Sequence, residues 1–257
     1  MIDIHCHLLN GVDDGSRDVI ESLTSLKLAE DAGFTDIILT PHYIKGYYEN
    51  DFESTKLKVK ELQYKLYDNN ILIKLHHGNE VYISDDIGEL IRNGVVSKLG
   101  NSNYLLFELP QKAKMLNLEN LVEDIKAAGC IPVLAHPERY LFVQNNPNEL
   151  IPLIQSGVLM QSNYGSVIGQ YGKEAQKTIG KMLSNNLVHL LGTDTHRSGY
   201  IYGHFYRVER EFLRYVDEKK MKELTTINPG KILKDEPIEI DKPIRVRRKI
   251  FFVRNVK

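Results

Sequence analysis

Short runs of consecutive apolar residues alternate with stretches of helical periodicity along nearly the whole chain. The runs at 2–5, 36–40, 71–78, 104–109, 131–135, 158–161 and 187–191 read as seven strands. Their apolar residues fall on adjacent rather than alternate positions, the mark of strands covered on both faces. Between them, Asp18 and Glu21 resemble a capping box, and Val19, Leu23, Leu26 and Ala29 hold one helical face as far as Gly33. Asn117 is placed to cap a second helix, in which Leu118, Leu121, Val122, Ile125 and Ala128 recur before Gly129 closes it. Two more helices are expected at 57–66 and 174–183, and no repeat or linker interrupts the pattern before about residue 235.

Seven strands alternating with helices imply a parallel sheet. Closing that sheet into a barrel suits a chain of 257 residues. The competing open, doubly wound sheet loses support because the glycine signatures GxGxxG and GxxxxGK[ST] are both absent. The expected architecture is therefore a single-domain α/β barrel over residues 1–235, followed by a basic tail over 236–257.

Composition narrows the function more than the fold. With 42% hydrophobic residues the chain can bury a core that needs neither disulfides nor metal, so a metal site would be functional rather than structural. Two cysteines, Cys6 and Cys130, are too few for a disulfide scaffold or a Cys-rich zinc module and fit a reducing compartment. The opening Met1-Ile2-Asp3-Ile4-His5 lacks the features of a signal peptide, and no apolar run is long enough to span a bilayer, so a cytoplasmic location is expected. Net charge is −1, yet residues 242–257 hold seven basic residues and no acidic one, leaving −8 on residues 1–241. An acidic body argues against nucleic acid as a partner. The tail mixes arginines with Ile250, Phe251 and Phe252, which suits contact with an anionic membrane surface, an acidic partner, or simply a solvated terminus.

The chemistry lies where polar residues interrupt the apolar runs. His5 and His7 follow the first strand, His42 the second and Glu80 the third; Glu108 ends the fourth, His136 follows the fifth, and Asp194 and His196 follow the seventh. In a barrel these ends share one face, where barrel enzymes keep their active sites. Alternate strand residues share a side, so His5 and His7 are placed to hold the same ion. Imidazoles and carboxylates without thiolate suit Mn²⁺, Fe, Zn²⁺ or Co²⁺, and so many ligands imply two or three ions with a carboxylate such as Glu80 bridging them.

These residues carry a resemblance. Ile2-Asp3-Ile4-His5-Cys6-His7, Val12-Asp13-Asp14-Gly15, Thr40-Pro41-His42, Ala135-His136-Pro137-Glu138-Arg139 and Asp194-Thr195-His196 resemble the polymerase-and-histidinol-phosphatase superfamily. Within it the likeness is to the manganese-dependent protein-tyrosine phosphatases of Gram-positive capsule and exopolysaccharide systems, and it runs from residue 1 to about 235. The resemblance implies a distorted, TIM-like (β/α)7 barrel with a trinuclear site at the C-terminal ends of the strands. In that site His5, His7, Glu80 and Asp194 would hold one metal. Glu80 would bridge to a second with Glu108 and His136, and Asp14, His42 and His196 would hold the third. The implied substrate is an autophosphorylated, membrane-associated tyrosine kinase, which would bring the protein to the inner face of the membrane.

The expected reaction is attack on phosphorus by a metal-bridging hydroxide, without a covalent intermediate. Arg139 is a candidate fork for the phosphoryl group, its rival reading being an ion pair with Glu138. The resembled family carries a second arginine a few residues beyond its last metal histidine. Here position 201 is Ile, and Arg197, directly after His196, is the candidate instead. A cysteine phosphatase is excluded because neither Cys6 nor Cys130 has an arginine six positions on. Tyr43, Tyr47 and Tyr48 crowd the loop after His42 and are candidates to line a pocket for an aromatic leaving group. Three rivals remain: a small-molecule phosphatase of the histidinol-phosphate type, a non-catalytic docking module stabilised by metal, and a nuclease-like editing domain.

Overall fold

A computed structural model describes residues 1–112, 116–197 and 199–247, so the end of the basic tail, from 248 on, lies outside the described residues. The strands are β1 (Ile2–Cys6), β2 (Asp36–Leu39), β3 (His42–Ile44), β4 (Tyr48–Glu49), β5 (Lys74–His77), β6 (Glu80–Tyr82), β7 (Tyr104–Glu108), β8 (Ile131–Ala135), β9 (Leu159–Asn163) and β10 (Leu190–Gly192). The principal helices are α1 (Val19–Asp31), α2 (Phe52–Asp68), α3 (Ile87–Arg92) and α4 (Leu118–Ala127), with Lys173–Leu183 packed further along. All four helices expected from the sequence are present. Asp18 caps α1 by accepting the Glu21 amide at 2.9 Å, whereas Glu21 accepts from the Arg17 amide. Asn117 precedes α4 without capping it; its amide donates instead to Asp85 at 3.1 Å.

The second and third expected strands, 36–40 and 71–78, are present as β2 and β5, and each is continued after a break by a strand the sequence did not show, β3 and β6. Thr40-Pro41 separates β2 from β3, where proline has no N–H to give a ladder. Gly78-Asn79 separates β5 from β6. A side chain at 78 would press on Ile38, Thr40 and Leu99 at 3.0–3.2 Å. Asn79 then satisfies the interrupted backbone, donating to the Pro41 carbonyl at 3.0 Å and accepting the Ser97 amide at 2.7 Å. The hydrogen-bond ladders accordingly fall into two sheets, β1-β2-β5 and β10-β9-β8-β7-β6-β3-β4, parallel throughout apart from the short β3–β4 hairpin. Joining each pair across its break gives seven strands in sequence order. The last returns to the first through Cys6 and Thr195, the His7 amide donating to the Thr195 carbonyl at 2.9 Å and the Asp194 amide to that of His5 at 2.8 Å. This is the distorted barrel.

Burial follows the pleat. Ile2, Ile4, Ile38, Tyr104, Leu106, Val133, Ala135, Leu159 and Leu190 form one buried cluster, while their strand neighbours Ile37, Leu105, Leu134, Met160 and Leu191 pack with the helices in another. Alternate residues thus serve two apolar faces, which is why the runs read as continuous. One polar network crosses the β1–β10 join. The buried Asp3 carboxylate accepts from Thr193 Oγ1 and Tyr202 Oη, each at 2.6 Å, and from the Thr193 amide at 3.0 Å. Burial raises the Asp3 pKa against these bonds. Tyr202→Phe, which removes one donor from a carboxylate that water cannot reach, is expected to lower stability by about 1–3 kcal/mol. A urea midpoint equal to that of the wild type would contradict this role.

Candidate metal centre

The first βα loop shows why Asp-Asp-Gly is needed. Asp13 closes a turn by accepting the Gly15 amide at 2.9 Å, and a Cβ on Gly15 would lie 2.0 Å from the His7 carbonyl oxygen. The second Asp13 oxygen accepts from His7 Nδ1 at 2.8 Å and from the His42 amide at 3.0 Å. One carboxylate therefore fixes the tautomer of one candidate ligand and the position of another. In β1 the register against β2 slips by a residue between Asp3 and Cys6. That bulge lets Ile2 and Ile4 fill the interior while His5 and His7, of opposite parity, both face the site.

Glu80 stands at the centre. Its Oε2 lies 3.2 Å from His5 Nε2, His7 Nε2 and His42 Nδ1, and its Oε1 2.8 Å from His136 Nε2. Asp194 Oδ1 is 3.6 Å from His5 and 3.5 Å from both His7 and His196. Glu108 Oε1 is 3.3 Å from His42, and its other oxygen 3.8 Å from His136. Asp14, half exposed at the rim, is 3.6 Å from His42 and 3.5 Å from His196. All nine candidate ligands named from the sequence thus converge, although Asp14 and His196 lie up to 182 positions apart. Three groups among them could each hold an ion: His5, His7, Glu80 and Asp194; His7, Asp14, His42 and His196; and His42, Glu80 and Glu108. His136 and Asp194 adopt positive φ, 35° and 51°, strain of the kind that persists where a fold over-determines a functional position.

The donor set fits divalent cations. Glu80 Oε2 and His42 Nδ1 are buried without any hydrogen-bond partner although they lie 3.2 Å apart, which is anomalous for ordinary protein atoms and natural for atoms that face bound cations. Electrostatics agree. Burial disfavours a charge on His5, but the Glu80 and Asp194 carboxylates outweigh it and raise the His5 pKa to about 9. His7 is raised well above its usual value against burial, by Asp13 and Glu80. Glu80 and Asp194 are lowered against burial, chiefly by His5, helped by His42 at Glu80 and by Arg139 at Asp194. Without metal the pocket therefore holds protons in the place of cations. Metal loading at pH 7–8 is expected to release protons from His5 and His7, and affinity to fall as pH drops below about 9. Calorimetry in buffers of different ionisation enthalpy measures that release; a buffer-independent heat would contradict it.

Beside this cluster Pro137–Arg139 forms a single 3₁₀ turn after His136, which swings Arg139 into a cavity of about 300 Å³. Arg139 Nη1 donates to Asp194 Oδ2 at 2.5 Å, and the guanidinium lies 4.6 Å from the centre of the Tyr171 ring. No ion pair joins Arg139 to the buried Glu138, whose Oε1 accepts from the Asn163 amide and Ser166 Oγ. Arg197 lines the same cavity and donates to the Asp14 and Gly15 carbonyls at 3.3 and 3.4 Å. Of the three loop tyrosines, only Tyr48 stacks on His42, with ring centres 6.1 Å apart. Tyr43 is buried, and Tyr47 meets Tyr48 edge-on while staying exposed.

Sequence reasoning missed the groups that hold the candidate ligands. Gln161 Oε1 lies 2.8 Å from His5 Nδ1, and Asn163 Nδ2 donates to Asp194 at 2.7 Å. Both come from β9, the one strand left without a candidate. A Gln-Ser-Asn run ending an apolar strand was the available signal, overlooked because amides are poor metal ligands.

Comparison with known proteins places this architecture. The family model for capsular polysaccharide synthesis, CpsB/CapC, matches residues 1–234. CapC of Staphylococcus aureus is 36% identical over 196 residues, 76% of this chain and 77% of that protein. The tyrosine-protein phosphatase YwqE of Bacillus subtilis is 29% identical over 256 residues, 98% of this chain and 99% of its own. In a crystallographic study of YwqE and of CpsB from Streptococcus pneumoniae, described as metal-dependent tyrosine phosphatases, one chain superposes with a TM-score of 0.90 at 28% identity. That match covers 96% of this chain and all of the other. The chain belongs to the CpsB/CapC family of capsular polysaccharide synthesis.

Proposed function

We propose that this chain is a manganese-dependent protein-tyrosine phosphatase whose substrate is a tyrosine kinase regulating capsule or exopolysaccharide synthesis. The observation that carries the reading is the convergence of nine imidazoles and carboxylates, Glu80 at their centre, beside an arginine-lined cavity. Full-length likeness to YwqE supports it. His5, His7, Glu80 and Asp194 would hold one ion, Glu80, Glu108 and His136 a second, and Asp14, His42 and His196 a third. Bound ions of this kind neutralise phosphoryl charge and activate water for in-line attack.

The chain's own residues do the rest. Arg139 spends one N–H on Asp194, leaving the other donors of its fork for phosphoryl oxygens. Tyr171, stacked against that guanidinium, holds its plane. Arg197 anchors the Asp14 loop and presents a second cation to the same cavity. Tyr48, beside His42, offers an aromatic face to the leaving phenol.

No helix among the described residues is long and apolar enough to cross a membrane. The basic tail over 236–257 would bring the enzyme to the cytoplasmic face, where a membrane-associated kinase presents its phosphotyrosines. The test is substrate choice: the manganese-loaded protein assayed on a phosphotyrosyl peptide, a phosphoseryl peptide and histidinol phosphate. Selective hydrolysis of the phosphotyrosyl peptide supports the reading. Hydrolysis of histidinol phosphate alone would keep the site and replace the substrate.

A further inference from the structure

Away from the metal centre, two adjoining cavities of about 530 and 540 Å³ run along α2 and share His77, Gly100 and Asn101. Lys56, Lys60 and Lys74 line the first, and Arg92 and Lys98 the second; no carboxylate lines either. Among the described residues none of these five cations is in an ion pair: Lys98 is held by Asn103, and Lys56 lies over the Phe52 ring. Residues 1–241 carry a net −8, so a carboxylate-free groove with five cations is a local inversion of the protein's charge.

The groove lies beside the outer edge of β5, where Ile73 and Leu75 are buried. β5 pairs with β2 on one side only, ending its sheet. On the other side the Gln63 carboxamide from α2 accepts the Leu75 amide at 2.7 Å and donates to the Ile73 carbonyl at 3.0 Å. The Gly100 amide donates to the His77 carbonyl at 2.7 Å, so this edge is closed from within the chain and the groove offers side-chain contacts above it. Tyr64 and Tyr67, more than half exposed on the same helix, add faces for side chains. The groove is separate from the cavity that holds Arg139 and is tied to the catalytic face through α2. α2 begins four residues after Tyr48, the residue stacked on His42, and its 17 residues span about 25 Å from there.

We propose that this groove is a docking site for an extended acidic peptide flanking the phosphotyrosine, so that the substrate is held at two places at once. The proposal rests on the phosphatase reading for the meaning of the second place, though not for the binding itself. Cations along the groove engage the acidic side chains, and Tyr64 and Tyr67 flank them with aromatic faces.

The test uses the manganese-loaded full chain and a Lys56→Gln/Lys60→Gln/Lys74→Gln variant. The probes are p-nitrophenyl phosphate, a short phosphotyrosyl peptide, and a long acidic peptide made with phosphotyrosine and with plain tyrosine. Anisotropy should show the unphosphorylated acidic peptide binding the wild type and weakening with salt. The variant should lose about tenfold in that affinity and raise KM for the long phosphopeptide by a similar factor. kcat, and turnover of p-nitrophenyl phosphate, should be unchanged, and restoring Lys→Arg at the three positions should recover binding. Equal affinity in wild type and variant would overturn the proposal, as would equal loss on all substrates. Displacement of the bound peptide by an anionic polysaccharide at lower concentration than by the peptide itself would overturn the choice of occupant. If the wild type hydrolysed no phosphotyrosyl substrate, the phosphatase reading would fail while the binding arm still decided the groove.

Discussion

Glu80→Gln is expected to lower metal-restored turnover by about 1000-fold or more while leaving the protein folded. Four imidazole nitrogens lie within 3.2 Å of this carboxylate, from β1, β3 and the turns after β1 and β8. An amide has the same shape, but it brings no charge and has one oxygen, not two, that could serve as a ligand. The fold should tolerate the change because metal-free Glu80 is a buried anion held by protonated histidines. The change removes one partner only, so tolerance depends on the histidines giving up their protons rather than staying charged and unpaired. With Glu80 neutral, His5 loses the strongest influence raising its pKa and should be neutral at a lower pH. Thermal unfolding separates the two effects. The metal-free variant should still unfold cooperatively, and Mn²⁺ should raise its Tm far less than it raises that of the wild type. Retention of a tenth of wild-type activity would contradict the central place given to Glu80.

Arg139→Ala is expected to lower kcat/KM by about 100-fold on every phosphate monoester, and Arg139→Lys to recover little of it. The guanidinium is fixed from two sides, by the Asp194 carboxylate and the Tyr171 ring, in a cavity that adjoins the candidate ligands. A lysine keeps the charge, but it cannot span two phosphoryl oxygens or stack on Tyr171. Asp194 is itself held below its usual pKa by His5 and Arg139, so the alanine variant also removes a cation from a buried carboxylate. Metal affinity, measured alongside the kinetics, distinguishes the two consequences. A loss confined to kcat/KM with unchanged metal binding is the expected pattern. Full activity in the lysine variant would reduce Arg139 to a point charge.

The candidate ligands were legible because each breaks a pattern: a His, Asp or Glu at the end of an apolar run has no reason to be there in a core. His5, His42, Glu80, Glu108, His136 and Asp194 all stood out in this way, and the barrel then supplies the convergence. Asp14 was different. It sits in a loop with no periodicity to interrupt, and only the resemblance pointed to it. Asp13 and Gln161 were not legible as partners of His7 and His5, since pairs 6 and 156 positions apart meet only through the fold. The breaks after the second and third strands were missed for a related reason. Pro41 and Gly78 were visible, but the tight contact at Gly78 and the backbone rescue by Asn79 depend on neighbouring strands.

The central claim is that the nine residues around Glu80 form one multinuclear metal site that performs the hydrolysis. It is tested most directly by titrating Mn²⁺ into chelated protein while following bound metal and phosphotyrosyl-peptide turnover together. Turnover that rises with loading to two or three ions per chain, and is absent in Glu80→Gln at the same free Mn²⁺, is the predicted result. Undiminished turnover by the metal-free protein would contradict the account.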